Sequence, residues 1–360
     1  MKQKMVIFGY TMDMGGAERA LINIINTIKD YFEIDLVLIK KTGILLNDIP
    51  KEVTIKEIRK NIFDYVLFRY IPFFRRRKIR KLTNKKYDVA VAFMEGRACT
   101  WLSDMKGSVF KIAWIHNDVN KFDIGITENE IRKSYNLVDK IVVVSKQSKD
   151  SFCNKYDINP SNVEVVYNLI DEDKILNNSK LINVKKNKFT FINVSRMRKQ
   201  KRHDRLLKAV KVLKDEGYDF ELWLIGDGPL EDDIKKLVYE LKIEDFVKLL
   251  GLKENPFPYI KAADYFVMSS DHEGYPLSLL EALLLKTPVI STDVSGAREI
   301  LQDKYGIVCD TSLDALIDSM RSVLNKRNKK IEENLQDYKG GNDKIIKDLK
   351  KLFKIEGEKL

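Results

Sequence analysis

Two carboxylates and the turn between them dominate the chemistry this sequence offers. Glu273 and Glu281 have seven residues between them in the stretch Ser-Ser-Asp-His-Glu-Gly-Tyr-Pro-Leu-Ser-Leu-Leu-Glu, residues 269–281. The apolar run Tyr265-Phe266-Val267-Met268 before it reads as a buried strand, and Leu279–Leu284 after it as a buried helix. Pro276 suits the first helical position, where a missing N–H costs nothing. A strand, a turn and a helix N-terminus in succession offer unpaired backbone N–H groups to an anion. That makes Gly274, Tyr275, Pro276, Leu277 and Ser278 a candidate anion-holding segment. A carboxylate beside a bound phosphate repels it, so Glu273 and Glu281 are expected to grip hydroxyl groups. A nucleotide sugar carries both phosphates and hydroxyls.

A second cluster has the complementary charge. The strand expected at Phe189–Val194 runs into Ser195–Asp204, with five Lys or Arg within the seven residues Arg196–Arg202. Two cations reaching a diphosphate would neutralise the charge that builds as a sugar leaves it. Arginine offers a planar fork to phosphate oxygens and lysine a point charge. Two candidates lie where a doubly wound sheet binds ligands, beyond the C-terminal ends of strands: Glu95-Gly96-Arg97 after the strand ending at Phe93, and Trp114–Asp118 with His116. Gly15 and Gly16 stand between a first strand, Lys4–Gly9, and a helix continuing to Ile28, and are expected to supply unusual φ angles and close backbone approach. His116 follows the strand Phe110–Ile115. Gly226 opens the turn Gly226-Asp227-Gly228-Pro229 after the strand Glu221–Ile225.

Taken together these segments resemble retaining glycosyltransferases of family 4, the glycosyl transferases group 1 of bacterial surface-polysaccharide synthesis. Glu273 and Glu281 match the Glu-x7-Glu motif within Glu-Gly-Tyr-Pro-Leu-Ser. Gly15–Glu18 is similar to the Gly-Gly-x-Glu element, and Gly226–Pro229 to the turn under the nucleotide. Arg196 and Lys201 hold the positions of an Arg and a Lys five residues later that serve the diphosphate, although Arg202 stands where glycine commonly follows the Lys. Asn168–Asp171 resembles the interdomain crossing, with Leu169 in place of the usual glycine. The resemblance implies an α/β chain with the GT-B fold: two Rossmann-like doubly wound domains facing a cleft. It places an acceptor domain at 1–175, a nucleotide-sugar domain at 176–340, and a final helix, 341–360, returning to the first domain. By the same resemblance Arg196 and Lys201 stabilise the leaving diphosphate, Glu281 holds the ribose, and Glu273 holds sugar hydroxyls. His116 orients the sugar or its developing charge. The donor expected is a UDP-sugar, chosen because UDP is the commonest nucleotide in the family, and the acceptor a saccharide or lipid-linked saccharide hydroxyl.

The elements that must position these residues also follow from the sequence. At 360 residues, 44% hydrophobic and 32% charged, the chain is long enough for two domains. Further strands are expected at Glu33–Ile39, Asp88–Phe93, Lys140–Val144, Val163–Tyr167, Val247–Leu250 and Pro288–Ser291. Strands alternating with helices predict a doubly wound parallel fold. The polar run Asn177–Lys188 has linker composition, and Asn342–Phe353 carries one apolar helical face. The terminal Lys/Glu-rich residues are expected to fray. Three cysteines and three histidines, without ligand spacing, exclude a His/Cys metal site and point to a reducing cytoplasm. No metal or other cofactor is expected, because two cations already serve the diphosphate. No apolar stretch is long enough to span a membrane.

The net charge of +11 is unevenly spread: Phe68–Lys86 holds nine Lys or Arg and no acid, with Phe68, Tyr70, Phe73 and Phe74 at its start. That mixture suits an anionic bilayer or single-stranded nucleic acid. No nucleic-acid module accompanies it, so a peripheral position on the inner membrane face is expected, consistent with a lipid-linked acceptor in capsule or surface polysaccharide assembly. Two rival readings keep the same architecture: a nucleotide-sugar 2-epimerase, and a non-catalytic transferase partner.

Overall fold

The computed structural model describes residues 2–59, 61–107, 109–120, 127–326 and 328–355. The chain forms two compact units. The first runs to Leu169 and takes up the chain again from Gly341; the second is Ile170–Gly340. The boundary therefore falls inside Asn168–Asp171, six residues before the expected one. The expected linker, 177–188, lies within the second unit and begins at the end of the helix Glu172–Asn178, which is capped by the Asp171 side chain accepting from Lys174 N.

The first unit is built on a seven-stranded sheet: β1 Gln3–Gly9, β2 Phe32–Leu38, β3 Thr54–Glu57, β4 Val89–Ala92, β5 Phe110–Ile115, β6 Lys140–Val143 and β7 Val163–Val165. Every neighbouring pair is parallel, in the order β3-β2-β1-β4-β5-β6-β7. Continuous apolar strands such as Val89-Ala90-Val91-Ala92, buried throughout, are what a parallel sheet covered on both faces requires. The helix Gly16–Ile28 supplies one cover, burying Ala20, Leu21, Ile24, Ile25 and Ile28 at spacings of three and four. The helix Lys146–Tyr156 begins at Ser145, whose hydroxyl accepts from Ser148 N.

The helix Asn342–Leu352 buries Ile345, Leu349 and Leu352 in this first unit, and Phe353 follows it edge-on to Phe32 at 5.9 Å. Lys354 lies over the Phe110 ring at 4.4 Å. The expected fraying of residues 356–360 lies outside the described residues.

The basic stretch folds as two short helices, Ile62–Tyr70 and Pro72–Leu82. Not all of its members are surface groups: Ile79 is fully buried. Phe68 is buried against Trp101, ring centroids 5.4 Å apart, and Arg75 Nε bonds the buried carboxylate of Asp104 at 2.6 Å. The apolar groups left in solvent are instead Ile62, Phe63, Val66, Tyr70, Ile71, Phe73 and Phe74, with Phe63 and Phe73 68% and 69% exposed. Among the described residues no helix is long and apolar enough to cross a membrane.

The second unit repeats the layout with β8 Phe189–Val194, β9 Phe220–Ile225, β10 Val247–Gly251, β11 Tyr265–Met268, β12 Val289–Thr292 and β13 Gly306–Cys309. Its order is β10-β9-β8-β11-β12-β13, again all parallel. In both sheets the strand order reverses beside the first strand, between β1 and β4 and between β8 and β11. A crevice at that reversal, beyond the strands' C-terminal ends, is where such sheets bind ligands.

Candidate active site

Pairing of β8 with β11 ends at Ile192 opposite Phe266. Beyond it, Asn193 Nδ2 donates to Val267 O at 2.7 Å and holds the two chains as they part. Asn193 Oδ1 accepts from Ser195 Oγ at 2.7 Å, and Ser195 Oγ meets His203 Nε2 at 3.1 Å. Burial, helped by the nearby Lys201 charge, lowers the His203 pKa to about 4, so its imidazole is neutral in this network. These residues were not singled out from the sequence. They are short-range polar links whose partners become evident only once β8 and β11 are neighbours.

Two turns leave these strand ends. The first carries Arg196 and Lys201, the second Glu273. Glu273, 8% exposed, accepts at Oε1 from Lys201 Nζ (2.5 Å) and from Ser270 Oγ (2.6 Å). Arg196 is half-buried and, among the described residues, forms no ion pair. The next turn, after β9, presses against this one. Gly226, with φ 142°, lies so near that an added Cβ would stand 2.0 Å from Ser195 O. Met197 N donates to Asp227 O at 2.6 Å. The glycine sought as a nucleotide contact thus also fixes the backbone on either side of Arg196.

Glu281 is buried in the helix Leu277–Leu284. That helix starts one residue later than expected. Pro276 is its cap, with extended ψ of 108°, and Leu277 is the first helical residue. Proline's ring fixes φ but leaves ψ free, which allows it to end the turn instead of opening the helix. Gly274 is buried, while Tyr275 and Ser278 are half-buried. The loop before the short helix Ala297–Leu301 closes over Gly274 and Tyr275, and the buried hydroxyl of Ser295 within it has no partner among the described residues.

In the first unit the polar groups gather at the ends of β1, β4 and β5. Glu95, 5% exposed, accepts from His116 N at 3.0 Å and from the Asn117 amide. The Tyr10 hydroxyl donates to Glu95 O at 3.0 Å. His116 packs on Phe93 with ring centroids 4.5 Å apart. Neither of its ring nitrogens is paired in hydrogen-bonding geometry among the described residues. Burial lowers its pKa to about 3 against a weaker opposing pull from the Phe93 backbone, so near neutral pH it is an uncharged imidazole. Gly15 and Gly16 begin the helix Gly16–Ile28, but not through unusual φ. Gly15 is an extended cap at φ −137°, and its lack of a side chain makes room for the Glu18 carboxylate, 2.1 Å from where a Cβ would stand. No group of three or more His, Cys, Asp or Glu among the described residues has metal-binding geometry.

Comparison with known proteins gives the site its context. The glycosyl transferases group 1 model matches residues 175–339, and the glycosyltransferase family 4 model residues 14–174. Among curated relatives, the chain is 28% identical over 86% of both lengths to a Campylobacter jejuni protein. That relative is the N-acetylgalactosamine-N,N'-diacetylbacillosaminyl-diphospho-undecaprenol 4-alpha-N-acetylgalactosaminyltransferase. This chain is also 32% identical to an uncharacterized glycosyltransferase of Methanocaldococcus jannaschii, over 54% of this chain and 51% of that protein. Anabaena HepE, solved in complex with UDP and glucose, superposes with a TM-score of 0.78 at 18% identity, covering 98% of this chain and all of its own. One model takes up where the other ends; the group 1 model covers the whole six-stranded sheet, and the family 4 model covers β2 to β7 of the seven-stranded one. The fold is therefore GT-B, and the chain belongs to the glycosyl transferases group 1, glycosyltransferase family 4.

Proposed function

We propose that this glycosyltransferase moves a sugar from a UDP-sugar to a hydroxyl of a lipid-linked saccharide, with retention at the anomeric carbon. Such an acceptor fits surface or capsule polysaccharide assembly on the inner membrane face. The carrying observation is the Lys201–Glu273 pair, with Arg196 nearby in sequence and unmatched by any described carboxylate. Two cations and a helix N-terminus beside buried acids suit a diphosphate flanked by hydroxylated groups. UDP is favoured by its presence in the HepE complex, and the lipid-linked acceptor by the name of the Campylobacter relative.

In this reading Arg196, Lys201 and the amides from Gly274 to Ser278 bind the diphosphate. Pro276, lacking an amide hydrogen, shapes the turn. Glu281 holds the ribose and Glu273 the transferred sugar, while Gly226 and the Gly15–Gly16 turn allow close backbone approach. From the first unit, His116 offers a neutral imidazole to a sugar hydroxyl. The bond from the anomeric carbon to the phosphate oxygen breaks, and the acceptor oxygen bonds that carbon from the same face. The acceptor proton passes to the departing phosphate. Glu273, already engaged by Lys201 and Ser270, is not the nucleophile. Two cations serve the diphosphate, so turnover should persist in a chelator.

The membrane part of the reading rests on the exposed Phe63, Tyr70 and Phe73 beside the exposed Arg76, Arg77 and Lys81. The test of the donor is thermal shift across UDP-, GDP- and ADP-sugars, since a bound donor raises apparent stability by mass action. Turnover with the selected donor then gives the product's anomeric configuration. No shift with any of the three nucleotides refutes the reading. Epimerised free nucleotide sugar would decide for the epimerase.

A further inference from the structure

The two arginines that follow Lys201 both reach Asp271, two residues before Glu273. Arg202 grips Asp204 with Nε and Nη2, at 2.9 and 3.0 Å, and turns Nη1 to the Asp271 oxygens at 3.1 and 3.2 Å. Arg205, 5% exposed, donates to Ser269 O at 2.9 Å and to Asp271 Oδ1. The backbone repeats the link. Asp271 N donates to Gln200 O at 2.8 Å, and Ser269 Oγ to Lys201 O at 2.9 Å. Burial would raise the Asp271 pKa, but hydrogen bonds from Arg205 and Arg202 outweigh it and hold the carboxyl below its ordinary range. It is therefore an anion at neutral pH.

We propose that Asp271 is a positioning residue, and that with Arg202 and Arg205 it forms an ionic clamp. The clamp fixes the Lys201-bearing turn against the Glu273-bearing turn so that both meet the donor in one geometry. Arg202 and Arg205 face Asp204 and Asp271, whereas Lys201 faces Glu273, so the clamp uses cations other than the two assigned to the diphosphate. Arginine suits the clamp because its planar fork reaches two carboxylates at once, which a lysine point charge does not.

The proposal rests on the assignment of Lys201 and Glu273 to the donor, and one set of variants separates the two claims. Turnover is read as UDP release with the UDP-sugar that the donor screen selects, and binding as UDP calorimetry. Asp271→Asn is expected to lower kcat about tenfold or more with donor KM within about threefold, because misplaced cations harm the transition state more than ground-state binding. Arg202→Gly and Arg202→Ala should lose equal kcat although glycine, free at φ 51°, gives the more stable protein. These two carry the test if Asp271→Asn does not fold. Wild-type kcat in Asp271→Asn overturns the clamp. So does a loss of kcat that merely follows the fraction of protein able to bind UDP, or an Arg202→Gly rate that recovers with stability. Lys201→Ala is the companion: undiminished turnover there sinks the donor assignment itself, whereas its loss beside a normal Asp271→Asn removes only the clamp.

Discussion

Replacing Gly226 by alanine should damage the donor site through the backbone alone. The new methyl would stand 2.0 Å from Ser195 O and 3.7 Å from Arg196 N, at a φ of 142° that side chains rarely adopt. The first contact is more than an ångström too short and its partner is main chain, so one of the two turns must move. Gly217 is the control. It also has positive φ, 86°, but an added Cβ meets nothing within 4 Å. Gly217→Ala should therefore cost only the left-handed penalty, about 1 kcal/mol. Gly226→Ala adds overpacking against backbone and should cost about 3 kcal/mol or more. The same shift displaces Arg196, and a displacement of about 1 Å costs on the order of a hundredfold in rate. Urea melts of both variants give the stability difference, and UDP release gives kcat/KM. Equal stabilities for the two variants, with normal turnover in Gly226→Ala, would refute the reasoning.

Other substitutions and conditions probe separate parts of the argument. Lys201→Ala should lower kcat about a hundredfold by removing charge stabilisation from the leaving diphosphate. Glu281→Ala should instead raise the donor KM about tenfold or more by deleting charged hydrogen bonds to the ribose, and a rate defect at unchanged KM would argue against that role. His116 and His203 have folded pKa values of about 3 and about 4, below the ordinary 6.5. The unfolded chain thus binds protons the folded one refuses. Stability should fall as pH drops below 6.5, by about 1.4 kcal/mol per unit per histidine, until about 4 for His203 and about 3 for His116. His116→Leu should roughly halve that slope between pH 6 and 5 in chemical melts, and an unchanged slope would show that His116 does not contribute. Phe63→Ser with Phe73→Ser should weaken sedimentation with anionic vesicles about tenfold or more. Equal binding of the native chain to neutral vesicles would remove the electrostatic part.

The parallel α/β layout could be read from the sequence because its strands are continuous apolar runs. Phe110–Ile115, Phe189–Val194 and Tyr265–Met268 are found at their expected bounds. β3 and β13 were missed. Thr54-Ile55-Lys56-Glu57 is a short, half-polar edge strand, and Gly306–Cys309 is a four-residue edge strand with no long apolar run. Edge strands are held by one neighbour, and local sequence says little about them. The Glu273 turn and the basic turn were recognisable as motifs, but their mutual contact was not. Arg205 and Asp271 meet across 66 positions of chain. One signal was present: Arg205 lies four residues before Ala209 on the buried face of its helix, where a charge demands a counter-ion. Within the basic stretch, composition does not say which side of a helix faces inward. Phe68 and Arg75 point into the unit while Phe63, outside the stretch, is exposed.

The helix Asn342–Leu352 has a consequence for how the polypeptide matures on the ribosome. The first unit begins at the N-terminal strand, yet the segment that seals Phe32 is made roughly 170 residues after Leu169. At about 5–20 residues per second, that nascent unit waits on the order of 10–30 s. During that interval it lacks the burial of Ile345, Leu349, Leu352 and Phe353, worth roughly 6 kcal/mol or more before entropy. Translation of the second unit is thus the delay during which the first remains unsealed and most exposed to chaperones or to aggregation.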